Sequence, residues 1–196
     1  MAKVKPLPAA AAASSPPASP EQKPAVYTVW MKSLVFNGNG CTVYGADGGI
    51  AYRVDNYGSR GGREVFFMDS AGNYLIRIRR KSFCMFRRWE ACRCFDDGEE
   101  TMPWFRVQKT WKQNGAAAVT MHGHRRRTYT VDGCSRKSDY KISGADGAIV
   151  ATIARKQTAS GVVLGEDVLT LTVGPEVDHL LVLGVVVVCG LMNRCL

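Results

Sequence analysis

Val43-Tyr44-Gly45-Ala46-Asp47-Gly48-Gly49-Ile50-Ala51-Tyr52-Arg53-Val54-Asp55-Asn56 reads as a strand, a tight turn and a returning strand. Aromatic and β-branched residues flank an Asp-Gly pair, whose two residues tolerate the positive φ angles of a type I′ hairpin. The unit recurs in Val65 to Lys81 around Asp69 to Gly72, and in Tyr140 to Lys156 around Asp146-Gly147. Asp-Gly also stands at Asp97-Gly98 and Asp132-Gly133, and Gly72-Asn73 has the same turn character. From Tyr27 onward, short alternating apolar and polar stretches are broken by such turns, which predicts an antiparallel meander. Repeated hairpins and about a dozen candidate strands point to a barrel or a sandwich.

The C-terminal run Leu180 to Met192 breaks this alternation, being small or apolar throughout. Val185 to Val188 is β-branched and suits a buried strand. Gly174-Pro175-Glu176 and Asp178 suit a helix start instead, with Pro in the first position and acids in the first turn. Composition alone leaves both open. A membrane span needs roughly 20 apolar residues, and this run is bounded by Asp178 and His179 before it and by Asn193 and Arg194 after it. It reads as core.

Residues 1–24 are rich in Ala, Ser and Pro, including Ala9 to Ala13, and carry too little apolar surface to offset ordering entropy. A disordered tail is expected there, followed by one domain over 25–196. Lys+Arg number 26 against 17 Asp+Glu, a formal net charge of +9, which favours phosphate-bearing or acidic partners. The cysteine count is odd at 7, and no apolar core follows Lys3 and Lys5 as in a signal peptide. Reduced thiols in a cytoplasmic or nuclear protein are therefore expected.

Four stretches, in order, resemble the plant LURP-one-related family: Val29-Trp30-Met31-Lys32-Ser33-Leu34-Val35-Phe36, then Tyr52-Arg53-Val54-Asp55-Asn56-Tyr57, then Leu75-Ile76-Arg77-Ile78-Arg79-Arg80-Lys81. The last is Val163-Leu164-Gly165-Glu166-Asp167-Val168-Leu169-Thr170-Leu171-Thr172-Val173, followed by Pro175, Asp178 and the apolar run. That family is similar in fold to the tubby C-terminal domain and the phospholipid scramblases. The resemblance implies a closed barrel of about twelve antiparallel strands around a hydrophobic C-terminal helix, Pro175 to about Met192. The chain departs from the family pattern at Glu176-Val177, at Cys189-Gly190 and between Lys109 and Thr128.

No nucleophile elbow, phosphate-binding loop or zincin helix occurs, so a non-enzymatic module without cofactor is expected. Cys92 and Cys94 with His122 and His124 could offer paired zinc ligands from strands. Neither spacing is a standard zinc signature, and buried thiols with exposed histidines explain them more simply. Asp96-Asp97-Gly98-Glu99-Glu100 lacks the ligand order of a calcium loop and reads as a solvated hairpin tip.

The candidate contacts are basic. In Leu75 to Lys81, inward Ile76 and Ile78 would turn Arg77, Arg79 and Lys81 outward in one row. Arg125, Arg126 and Arg127 form a second cluster, with Arg136, Lys137 and Lys141 beyond it. An anionic phospholipid surface is the expected partner of a monomer, cytoplasmic and peripheral to the plasma membrane, or nuclear. The resemblance adds a link to tubby-like, membrane-tethered regulators and to plant defence, although no tubby phosphoinositide motif maps onto these residues. The alternatives are a nucleic-acid-binding regulator and a protein-interaction scaffold. Lipid translocation would need stable insertion, which the short apolar run argues against.

Overall fold

The structure is a computed structural model that describes residues 23–32, 40–55, 64–81, 88–95, 100–110, 116–123, 127–133 and 139–193. The expected tail lies, through residue 22, outside the described residues. Twelve strands follow one another: β1 Ala25–Trp30, β2 Gly40–Tyr44, β3 Ile50–Asp55, β4 Glu64–Asp69, β5 Tyr74–Lys81 and β6 Arg88–Phe95. They continue as β7 Glu100–Lys109, β8 Ala117–Met121, β9 Thr128–Asp132, β10 Tyr140–Ser143, β11 Ile149–Arg155 and β12 Val168–Val173. Each pairs antiparallel with its sequence neighbours, and β1 pairs with β12 from Ala25↔Val173 to Trp30↔Val168, so the sheet closes into a barrel.

Alternation sends one side chain in two to the interior. Val43, Phe67, Ile76, Ile78, Phe105, Val107, Leu169 and Leu171 are all fully buried. An eight-stranded barrel is filled by its own side chains, whereas twelve strands enclose a wider lumen. The helix α1, His179–Met192, occupies it. Residues 181–190 are buried around the whole circumference of that helix, which is stable only with protein on every side.

The helix begins later than the sequence predicts. Asp178 is its N-cap, accepting from the backbone N–H groups of Leu180 and Leu181 at 3.0 and 3.2 Å. Its first turn holds no acid, and Pro175 lies in the turn before it. A side-chain cap satisfies two orphan donors, which Pro at the first helical position cannot do. We call the end where the helix enters the mouth, and the opposite end the base.

The mouth fixes the helix through β6. At the register shift between Ala91 and Cys92 the extra residue is Trp104 on β7, so Trp89, Ala91 and Arg93 on β6 keep one alternation. Beyond it Arg93 pairs with Asp178 at 2.7 Å, and its guanidinium lies 4.1 Å from the Trp104 ring centre. Tyr27 Oη and His179 Nδ1 lie 2.9 Å apart. Asp178→Ala removes cap and ion pair together and should cost about 1–2 kcal/mol, whereas Asp178→Asn, which keeps the cap, should cost well under half of that. Equal melting temperatures for the two variants would show that the cap does not anchor the helix.

The repeated hairpins share one turn, but it is not the two-residue loop expected from Asp-Gly. Gly45 N–H donates to the Gly49 carbonyl and Gly48 N–H to the Gly45 carbonyl, at 2.9 and 3.1 Å. The same pair of bonds joins Asp69 with Asn73 and Gly144 with Ala148. These are three-residue loops ending on a left-handed glycine, with φ of 80°, 96° and 83° at Gly48, Gly72 and Gly147. Asp97-Gly98 lies outside the described residues. Each of the three hairpins carries a register shift just before its turn, at Val43/Tyr44, Phe67/Met68 and Ile142/Ser143.

Candidate anionic-ligand surface

On β5 the alternation is as the sequence suggests: Ile76 and Ile78 are buried, while Arg77, Arg79 and Lys81 lie on the outer wall. What the sequence reading missed is their company. Arg77 Nε donates to Glu64 Oε1 on β4 at 2.5 Å. Glu90 Oε2, on β6, receives Arg79 at 3.3 Å and Lys81 at 2.7 Å. Burial pushes the Glu90 carboxyl up, but Lys81 and Arg79 outweigh it and hold the group below its ordinary range. The hydrogen bond that Arg77 donates to Glu64 raises the Arg77 pKa against the opposing effect of burial.

Two further cations complete the wall. Arg88 faces Lys81 across β5–β6. Arg106 faces Glu90 across β6–β7, and its neighbours Phe105 and Val107 point inward. The outer face of β4 to β7 therefore carries Arg77, Arg79, Lys81, Arg88 and Arg106 against Glu64 and Glu90. Alternation in Arg88-Trp89-Glu90-Ala91 and in Phe105-Arg106-Val107 was the available signal. Phe66 lies beside the row, with Arg77 5.9 Å above its ring and Tyr74 4.8 Å away between centroids. These are aromatic neighbours that the sequence did not make evident.

Of the second basic cluster, Arg127 stays apart from this wall. Arg127 is exposed and sits before β9, at the mouth, whereas Lys81 ends β5 at the base. Arg125, Arg126, Arg136 and Lys137 lie outside the described residues, and Lys141 is exposed on β10. A groove of about 420 Å³ runs elsewhere on the wall, between Val26, Thr28, Tyr44, the Gly45–Gly48 turn and Lys156. The Lys156 ammonium, its one cation, donates to Thr28 Oγ1.

Among the described residues, Cys41, Cys92 and Cys94 carry no sign of activation. Cys92 and Cys94 share the outer face with Arg77, and burial raises both. Cys41, inside the barrel, is pushed up to about 12 by burial. His122 is exposed at the mouth, and His124 and the acidic run 96–99 lie outside the described residues. Among the described residues no three His, Cys, Asp or Glu side chains are placed to share a metal. Likewise, no helix of the described residues is long and apolar enough to cross a membrane.

Comparison with known proteins agrees with this architecture. A family model described as LURP-one-related matches residues 25–190. The Arabidopsis thaliana protein LURP-one-related 4 is 40% identical, over 93% of this chain and 84% of its own length. Protein LURP-one-related 11 of the same plant is 38% identical, over 92% of this chain and 82% of its own. An X-ray structure of an Arabidopsis thaliana protein superposes with a TM-score of 0.63 at 20% identity, covering 88% of this chain and 93% of that one, which shows the fold. With its twelve-stranded barrel, its buried helix and a match running from the first strand into that helix, the chain belongs to the LURP-one-related family.

Proposed function

We propose that this protein is a non-catalytic docking module that engages anionic phosphate groups, foremost phospholipid headgroups, through the basic wall of β5 to β7. The observation that carries the reading is the gathering of five cations against two carboxylates on one outer face. Arg88 and Arg106 have no ion pair among the described residues, so they are available to a ligand. The wall's cations continue toward the base through Lys81, Arg88 and Lys109. The implied kinship with tubby-like and scramblase-like barrels, and with plant defence, agrees with a regulator that works beside a membrane.

Each cation held near an acidic leaflet contributes about 1 kcal/mol. Changing Arg88 and Arg106 together to Ala should therefore weaken binding of the full chain to phosphoinositide vesicles roughly thirtyfold, leaving its thermal melt unchanged. The triple change Arg77→Ala, Arg79→Ala, Lys81→Ala should weaken it further, because Glu64 and Glu90 then face the ligand uncompensated. Co-sedimentation against neutral vesicles and short DNA decides between partners. Selective capture by one headgroup supports the lipid reading; equal capture by DNA, with no headgroup preference, favours a nucleic-acid module using Phe66 and Tyr74 for stacking. Unchanged binding by both variants would remove this wall from consideration.

A further inference from the structure

The connection between β11 and β12 is a second kind of surface, at the base. Lys156 N–H donates to the Val168 carbonyl and Leu164 N–H to the Lys156 carbonyl, at 2.9 and 3.0 Å, while Gln157 bridges Val163. Thr158 and Val162 close the same three-residue loop as the mouth hairpins, ending on Gly161 with φ 82°. Every residue from Gln157 to Leu164 is exposed, so this small hairpin projects beyond the barrel wall. On its returning arm, after the Ala159-Ser160-Gly161 loop, Val162, Val163 and Leu164 are 61%, 44% and 51% exposed, three consecutive apolar side chains in water. No charged residue occurs from Gln157 to Gly165.

That combination suits a bilayer. The apolar side chains gain on leaving water. The hairpin's own hydrogen bonds occupy some of the backbone groups that hydrocarbon could not satisfy, which limits insertion to the side chains and the interface. Because the loop is already formed, little ordering entropy is lost on insertion. Charge supplies the direction. The base carries Lys32, Arg80, Lys81, Arg88, Lys109, Lys141, Arg155 and Lys156 among its described residues, against Asp55, Glu64, Asp132, Asp139, Glu166 and Asp167. Asp167 is itself paired with Lys32 at 2.8 Å. Among its described residues the mouth has the opposite balance, with Asp47, Asp69, Glu100, Asp146, Glu176 and Asp178 against Lys23, Arg53, Arg93 and Arg127.

We propose that the barrel docks end-on, base first, on an anionic phospholipid bilayer, with Val162, Val163 and Leu164 inserted among the acyl chains and the cations of the base on the headgroups. The hairpin and the basic wall lie on opposite sides of the ring, yet both reach the base, so one flat surface touches both. This rests on the anionic-lipid reading and adds to it an orientation and an apolar anchor. Gln157 to Leu164 lie outside the hydrophobic core cluster, so changing Val162, Val163 and Leu164 leaves the fold intact.

The test uses the full chain and vesicles of phosphatidylcholine with and without phosphatidylserine. The triple variant Val162→Ser, Val163→Ser, Leu164→Ser should bind anionic vesicles at least about tenfold more weakly than wild type, with its salt dependence unchanged. In Leu164→Trp, brominated acyl chains should quench fluorescence beyond any quenching of the native tryptophans. If wild type binds and the triple-serine variant binds equally, the end-on anchor is wrong while lipid docking stands. If wild type binds no anionic vesicle, both readings fall. If the serine variant instead abolishes a wild-type dimer in sedimentation, these side chains cover a second copy of this chain, and the proposal is overturned.

Discussion

Replacing Val186 by Asp should prevent folding. Val186 is 1% exposed, midway along a helix whose circumference is closed in by the barrel. A carboxylate there has no water and no counter-ion, and even its neutral form leaves donors and acceptors unmatched. An unpaired buried charge costs several kcal/mol, a large part of the roughly 5–15 kcal/mol that holds a domain of this size together. Near-ultraviolet circular dichroism and thermal melting of the full chain check it. A cooperative melt close to that of wild type would mean that the helix does not thread the barrel.

Shortening Phe105 should be nearly as damaging. Its ring is fully buried on β7 and meets the helix where Gly184 leaves room for it. Phe105→Ala should cost about 3–5 kcal/mol and lower the melting temperature by on the order of 10 °C. The fit works from the other side as well. A Cβ on Gly184 would lie 2.9 Å from Phe105 Cζ and 3.1 Å from Ile76 Cδ1. Alanine gains up to about 1 kcal/mol of helix propensity over glycine, but overpacking costs about 1–3 kcal/mol, so Gly184→Ala should destabilise. Adding Phe105→Leu should then cost less in the Gly184→Ala background than alone. Additive losses in that double-mutant cycle would show that the two residues do not share the contact.

The site was half legible. Strand alternation placed Arg77, Arg79 and Lys81 on one face from sequence alone, because Ile76 and Ile78 between them demand the interior. Their neutralisation by Glu64 and Glu90 depends on which residues register brings opposite, and the recruitment of Arg88 and Arg106 depends on the same pairing. The bulged hairpins were less legible still. Ile50, Tyr74 and Ile149 continue the apolar pattern of Tyr52, Ile76 and Ala151, so simple alternation sends them inward. The register shift of each hairpin turns them outward instead, and they are 41%, 39% and 55% exposed at the mouth.

Turn chemistry and period-two alternation by themselves determine that this chain is an antiparallel meander, since both act within a few residues. The helix is another matter. Val185 to Val188 has strand propensity, and nothing local overrules it. Closure of the barrel does: β1 bonded to β12 leaves no free sheet edge inside, so an internal strand would bury unpaired N–H and C=O groups. A helix satisfies its own backbone, and an apolar one fills a twelve-stranded lumen. Only the tertiary structure could make that choice, because the deciding cost is an unmet hydrogen bond to a partner that local sequence cannot specify.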